Sequence, residues 1–492
     1  MPRHHIRTLQ RKSLSHLMSL GLQWLMTLLL AVTLLLNGAA DPNTRPALAI
    51  GFALISLLAL LLSVKNRASR ALVRHALFWG LFLSLWSILQ AVPLPLWLPV
   101  HPVWRDLSAT LGTTHGYVSV NPSATWHALP SLILPFTVFA TTVMLSQNEA
   151  LARSFWHKLT LVGVTVVLVS VLRQVFFPDS LVFSGQALGA GQFSGVFINR
   201  NLAASAFGLA AFALLGSLAI HMAKDPWLKK KQEKGEQSNK FWMYVLLASA
   251  LFLTAVCLIL TRSRAGSLVS LVLLLPCLIL ILRHGLRERF APWTLIRWLT
   301  SSFLLGVIAL LLFLAAYGEP VLSRVEATND TGRWCTWAST LEAIKDNPLF
   351  GTGLGTFRDI FPMYRNSGCD GSGSAWHRAH NSFLEIYLGI GLPALLFAAA
   401  VYVRVGKVLH HGLTMRRSLK GIPIAMTGAV LFVSTHSLVD FPLQIPGIAL
   451  YFTALMAAGM GLCLKKQQTR RKPRRIHSMS ANVRHQRSKS SG

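Results

Sequence analysis

Four short polar sets interrupt an otherwise apolar chain: FINRN (197–201), TRSRAG (261–266), AHNSFLE (379–385) and HSLVDF (436–441). The first two supply Arg200, Arg262 and Arg264, whose planar guanidinium forks match phosphate oxygens bidentately. A lone arginine at a membrane border usually snorkels or caps a helix, but the doublet in TRSRAG is hard to read that way. The third set supplies His380 and Asn381. A histidine at a helix N-terminus leans neutral because the helix dipole disfavours imidazolium, and a neutral imidazole can take a proton from a hydroxyl. The plainer reading of His380, as a cap or a packed interfacial ring, stands beside that one, and is favoured for His377. Glu385 falls about one turn into the following helix, where a carboxylate is usually functional or paired. Arg200 and Arg264 are its potential partners. His436 and Asp440 in the fourth set receive no role from spacing.

The elements that carry these sets are membrane helices. Of the 492 residues, 53% are hydrophobic and only 13% charged, against about 25% charged in soluble domains. Apolar runs long enough to span a bilayer predict an all-α polytopic membrane protein with about twelve helices: 18–36, 46–64, 72–94, 129–146, 157–177, 200–222, 241–260, 266–282, 298–317, 382–402, 421–438 and 444–463. The formal charge of +30 does not point to nucleic acid, because the basic residues sit in short connections and the tail, where they act as topology signals. They place both termini in the cytoplasm. Residues 1–17 then form a cytoplasmic segment, 18–317 the first nine helices, 382–463 the last three, and 464–492 a basic, disordered cytoplasmic tail. With this topology helices six, eight and ten all present their N-termini outward. Free N–H groups and the positive dipole end suit an anion, so with the arginines the outer face holds the ingredients of a pyrophosphate site at headgroup level. A phosphorylated lipid fits better there than a soluble anion.

Between the ninth and tenth helices lies the longest polar connection, 318–381, expected to be a partly helical loop on the outer face. Its RWCTWASTLEAIK piece reads as an amphipathic helix and NPLFGTGLGTF as a turn-rich hinge. Cys335 and Cys369 share this loop in an oxidising compartment. A bridge between them closes about 35 residues and stabilises by roughly 4 kcal/mol in the chain-entropy model. Cys257, Cys277 and Cys463 lie in apolar helices and read as small buried hydrophobes. No His, Asp or Glu grouping has metal-ligand spacing, so no metal site and no cofactor are expected. No GxSxG nucleophile elbow and no Walker-type phosphate loop occur.

DNPLFGTGLGTF followed by AHNSFLEIYLGIGLPALL resembles the signature of the O-antigen ligase and polymerase superfamily, bacterial inner-membrane proteins that handle undecaprenyl-linked glycans in the periplasm. TRSRAG is similar to the family's Ser-Arg-Gly/Ala turn, FINRN to its Asn-bearing segment, and HSLVDFPLQIP to a trailing motif of exopolysaccharide-type members. The resemblance covers about residues 190–460. It implies a metal-independent glycosyltransferase that moves a glycan from an undecaprenyl diphosphate donor to an acceptor hydroxyl. His380 would be the base or acceptor-positioning residue. Arg200, Arg264 and, less closely matched, Arg262 would hold the diphosphate, with Asn381 beside them. The acceptor would be lipid A core, a growing polysaccharide, or a protein Ser or Thr, as in the protein O-oligosaccharyltransferases of the superfamily. The motif and the long first outer loop favour the polymer type. A twelve-helix secondary transporter is the alternative from another class, but the ionisable residues gather at the outer rim and not at the midplane such proteins use.

Overall fold

A computed structural model of the protein describes residues 2–62, 64, 66–180, 193–224, 237–286, 331–365, 376–416 and 418–464. The expected ninth helix, Cys369, the remainder of the long loop and the tail from 465 lie outside the described residues. The chain is all-α, with one two-residue pairing, Leu94–Pro95 against His115–Gly116, as its sheet. The helices are α1 (Pro2–Leu35), α2 (Arg45–Ala59), α3 (Arg67–Ala91), α4 (Pro102–Leu111), α5 (Pro122–Leu145), α6 (Glu149–Phe176), α7 (Arg200–Lys224), α8 (Gln237–Leu260) and α9 (Arg264–Leu286). They continue with α10 (Thr331–Asp346), α11 (Phe357–Tyr364), α12 (Ser382–Ile390), α13 (Leu392–Met415), α14 (Gly421–His436) and α15 (Pro446–Leu464). Among the described residues nine helices are long and apolar enough to cross a membrane: α1 from Leu14, α3, α5, α6, α7, α8, α9, α13 and α15.

The bundle is built around α7. In its apolar stretch 94% of the residues are buried, against 17% in α8, and a helix that is apolar all round belongs in the interior. Its sequence, RNLAASAFGLAAFALLGSLAI, is rich in Ala and Gly, which let neighbouring backbones and rings approach closely. Gly216 shows the need: a Cβ there would lie 2.2 Å from Trp156 Cζ2 of α6, while the Trp156 indole donates to the Ala213 carbonyl at 3.0 Å. α6, α8, α9, α14 and α15 all pack on α7. Arg200 therefore opens the most central helix of the molecule.

One expectation fails instructively. The apolar run read as one helix over 382–402 is two, α12 and α13, separated at Gly391 (φ 76°, ψ −153°). Pro393 follows at the start of α13, where its missing N–H costs nothing. A break inside an apolar region strands carbonyls that must find donors. Here the turn-rich GTGLGTF segment provides them: Thr352 N–H donates to Leu388 O at 2.8 Å and Gly353 N–H to Gly389 O at 3.1 Å. From α3, Gln90 Nε2 donates to Gly389 O at 2.8 Å and Trp86 Nε1 to Ile390 O at 2.8 Å. The Leu392 N–H closes the junction on Leu349 O at 3.1 Å. The two motifs of the long loop are thus halves of one hydrogen-bonded joint, and that joint aims α12.

At the opposite end of α13, Glu149 at the start of α6 accepts from Arg416 Nη2 at 2.8 Å and from Arg153. The Arg416 and Arg153 side chains are only 3% and 10% exposed, so the carboxylate lies between two buried guanidiniums. Glu149→Ala is expected to lower stability by about 3 kcal/mol, the low end for breaking a buried pair because Glu149 is itself partly solvated. Thermal unfolding in detergent checks this, and Glu149→Gln should recover only part of the loss.

Candidate active site at the mouths of α7, α9 and α12

The residues around His380 are held from every side. Asn381 caps α12: its Oδ1 accepts from the N–H groups of Phe383 and Leu384 at 3.0 and 3.1 Å, the role asparagine favours at helix starts. Glu385 reaches back one turn and accepts from Ala379 N–H at 2.9 Å and from Arg378 Nη1 at 2.7 Å. Glu385 therefore pairs with Arg378 and not with Arg200 or Arg264. Local geometry decides this, because Arg378 belongs to the same turn. Trp337 of α10 donates its indole N–H to Ala379 O at 3.0 Å. Within this clamp His380 adopts φ 49°, a left-handed conformation that non-glycine residues hold only when their surroundings enforce it.

The clamp is docked on the corner between α14 and α15. Ser382 N–H donates to Ser437 O at 2.8 Å. The Ser382 hydroxyl donates to Gln444 Oε1 at 2.7 Å, and Gln444 Nε2 returns a bond to Ser382 O at 3.1 Å. This docking sets His380 Nδ1 3.7 Å from Asp440 Oδ1, an electrostatic contact longer than a hydrogen bond. The ring stands edge-on to Trp376 and Phe441, with centroids 5.4 and 4.8 Å away, and 23% of the side chain stays exposed. Asp440 is buried, and its Oδ1 accepts from Phe441 N–H at 2.8 Å. Burial works to raise the Asp440 carboxyl, but His380, the charge of His436 and the Phe441 amide outweigh it and hold it below the usual carboxylate range. His380 Nδ1 is buried without a hydrogen-bond partner among the described residues, and Asp440 Oδ1 is the acceptor it faces.

His436, one turn before Asp440, extends the cluster to the other two mouths. Its Nδ1 is 3.0 Å from Ser205 Oγ, one turn into α7 from Arg200. A Cβ added to Gly266, two residues into α9 from Arg264, would meet Ala204 Cβ at 2.6 Å and His436 Cε1 at 3.2 Å. The starts of α7 and α9 and the end of α14 therefore touch, with His436 wedged between them. His436 Nε2 and the hydroxyls of Ser263 and Ser437 are buried without a hydrogen-bond partner among the described residues. Arg200 is half-buried at the first position of α7, and Arg262 and Arg264 are exposed at the α8–α9 corner. Arg262 itself has φ 51°. Arg333 of α10 brings a further positive charge to bear on His436.

Of the sequence-derived site residues, His380 and Asn381 share one turn, and Arg200 and Arg264 start adjoining helices. The link between these two groups, through His436 and Asp440, carried no signal in spacing. Gln444 carried none either, because its partner Ser382 is distant in the chain. The Glu385 clamp was missed as well: with Asn381 as the cap, Glu385 stands one residue beyond the capping-box position and reaches Ala379 and not the cap. Cys335 is disulfide-bonded and Cys257, Cys277 and Cys463 are free thiols; Cys369, its expected partner, lies outside the described residues. Among the described residues no group of three His, Cys, Asp or Glu side chains could hold a metal ion.

No curated protein matches the chain. Residues 249–399 match the family model described as O-antigen ligase. The matched stretch runs from α8 into α13 and includes Arg262, Arg264, the glycine-rich joint, His380, Asn381 and Glu385. Arg200, His436 and Asp440 fall on either side of it. Over that stretch, about a third of its length, the chain is similar to the O-antigen ligase family.

Proposed function

We propose that the protein transfers a glycan from an undecaprenyl diphosphate carrier to an acceptor hydroxyl at the periplasmic face of a bacterial inner membrane, with both termini cytoplasmic. The observation that carries this reading is the His380–Asp440 pair, a strained histidine fixed against a buried carboxylate beside helix mouths that bear arginines. In the reaction His380 Nε2 accepts the proton of the acceptor hydroxyl while that oxygen bonds to the anomeric carbon of the donor sugar. The bond from that carbon to the phosphate oxygen breaks, and undecaprenyl diphosphate leaves with the electron pair. Asp440 orients the imidazole and stabilises the imidazolium that forms. Arg200 and Arg264, with Arg262 at the rim, hold the diphosphate and the charge that grows on it. The proton then passes from the partly exposed ring to water. A growing polysaccharide is the acceptor we favour, from the HSLVDFPLQIP corner that completes the site.

The test is transfer from a lipid-linked glycan in proteoliposomes. Asp440→Asn keeps the acceptor oxygen for Phe441 N–H and should stay folded, yet transfer should fall about 10²–10⁴-fold through loss of the negative charge and the wrong tautomer. Arg264→Ala should abolish transfer at normal protein level. Wild-type rates in both variants would overturn the proposal. Product length separates the acceptors: a polymerase yields a ladder, a ligase a single addition to lipid A core, and a protein transferase labels protein.

A further inference from the structure

α3 and α13 are antiparallel neighbours that touch near their middles, where Trp79 and Phe397 have ring centroids 5.6 Å apart. On the side away from His380 they border an open, shallow cleft of about 390 Å³ lined by Ala71, Arg74, His75 and Phe78 of α3 and by Arg404 of α13. The α3 residues occupy one helix face at i, i+3, i+4 and i+7. Arg404 comes to that face from across the cleft. Arg404 is the first charged residue of α13, after an apolar run of twelve residues from Leu392, with Lys407, His410 and His411 in the turns beyond it.

Among the described residues no acidic side chain offsets the charge in this cleft. Neither α3 nor α13 contains an Asp or Glu. Among the described residues no carboxylate makes an ion pair with Arg74, His75 or Arg404. Arg404 Nε is buried and has no hydrogen-bond partner among the described residues. A guanidinium at the border of the apolar zone with a buried, unbonded nitrogen is stabilised when an anion joins it. The flanks of the cleft are apolar and exposed, with Leu77, Phe78 and Leu81 on α3 and Val401 and Val403 on α13. Such a surface is fitted to acyl chains.

We propose that this cleft binds the headgroup of an anionic phospholipid from the leaflet opposite the His380 site. Its phosphate sits between the Arg74 and Arg404 guanidiniums, and its acyl chains lie along the exposed faces of α3 and α13. A phosphate diester supplies the missing negative charge and acceptors for both forks, and basic pockets between spanning helices are the usual form of such sites. Bound there, the lipid joins α3, whose far end carries Trp86 and Gln90 to the α12–α13 joint, to the helix that leaves that joint. The site does not depend on the glycan-transfer reading.

The experiment uses the delipidated full chain and native mass spectrometry with phosphatidylglycerol or phosphatidylcholine. One phosphatidylglycerol should be retained with a preference on the order of tenfold over phosphatidylcholine. Arg74→Gln with Arg404→Gln should abolish the preference. Arg404→Lys, which keeps the charge but not the fork, should retain part of it, and Arg67→Gln with Arg70→Gln on the same rim should leave it intact. Equal retention of the two lipids by wild type would overturn the proposal without recourse to any variant. So would an equal loss in the Arg67/Arg70 pair, which would mark a diffuse basic rim, or stoichiometric displacement by polyprenyl diphosphate, which would give the cleft to the transfer substrate.

Discussion

Replacement of His380 by asparagine should leave a folded protein that no longer transfers glycan. The choice of asparagine matters. His380 sits at φ 49°, and asparagine tolerates that left-handed conformation far better than alanine does. The rest of the turn does not depend on the imidazole: Asn381 caps α12 with its own side chain, Glu385 holds Ala379, and Ser382 docks on Gln444. The substitution removes the basic nitrogen and the partner of Asp440 and leaves the scaffold. General-base catalysis is worth about 10²–10⁴-fold, and an uncatalysed acceptor hydroxyl is a poor nucleophile, so transfer should drop at least about a thousandfold. His380→Ala should be equally inactive and also less stable, by about 1 kcal/mol for forcing a Cβ-bearing residue without local hydrogen bonding into this region. Transfer measured in proteoliposomes beside thermal unfolding of the same preparations tests both statements. Retention of more than a tenth of the wild-type rate in a folded His380→Asn protein would remove the histidine from the chemistry and leave it a structural turn residue.

What the sequence discloses about this site and what it conceals have separate physical causes. The arginines are visible because charge is rare in an apolar chain and each lies at the edge of a hydropathic run. The helix start at 380–382 is visible in AHNSFLE, but the capping reading falls there on His380, whereas the structure gives the cap to Asn381. The pairing of His380 with Asp440 is not visible. It depends on how α12 docks on the α14–α15 corner, through backbone carbonyls of Ser437 and Asp440 that any sequence would present. Glu385 was open to Arg200 and Arg264 on chemistry alone, and proximity in the chain gives it instead to Arg378. The helix break at Gly391 is hidden for a third reason. Apolar residues run on through LGIGLPALL, and hydropathy measures burial while being blind to a change of direction. Only the donors that await the freed carbonyls, from GTGLGTF and α3, make the break stable, and they are distant in sequence.

That break supplies the second large expected effect. Gly391→Ala should cost several kcal/mol and abolish transfer, although the residue touches no substrate. At φ 76° and ψ −153° the backbone is in a region that essentially glycine alone occupies, and a side chain there costs about 1–3 kcal/mol in strain. The added Cβ would also lie 2.4 Å from Leu349 O and 2.6 Å from Gly351 N. Both are backbone atoms of the hinge, and neither can swing aside as a flexible side chain would. To admit the methyl group the GTGLGTF segment must withdraw from α12, which strands the Leu388 carbonyl that Thr352 satisfies and takes from Gly389 one of its two donors, leaving the joint held by Gln90 and Trp86 of α3 alone. Each carbonyl left without a donor adds about 1–3 kcal/mol. The loss is therefore a large fraction of the total stability of a folded protein, and it is concentrated where α12 is aimed, so His380 leaves Asp440 before the bundle as a whole unfolds. Gly406, in the same α13, is the internal control: a Cβ there meets nothing within 4 Å, and Gly406→Ala should stabilise by about 0.5–1 kcal/mol and leave transfer unchanged. A Gly391→Ala protein with wild-type melting and transfer would mean that the joint bends freely, and that α12 owes its aim to the Ser382–Gln444 docking alone.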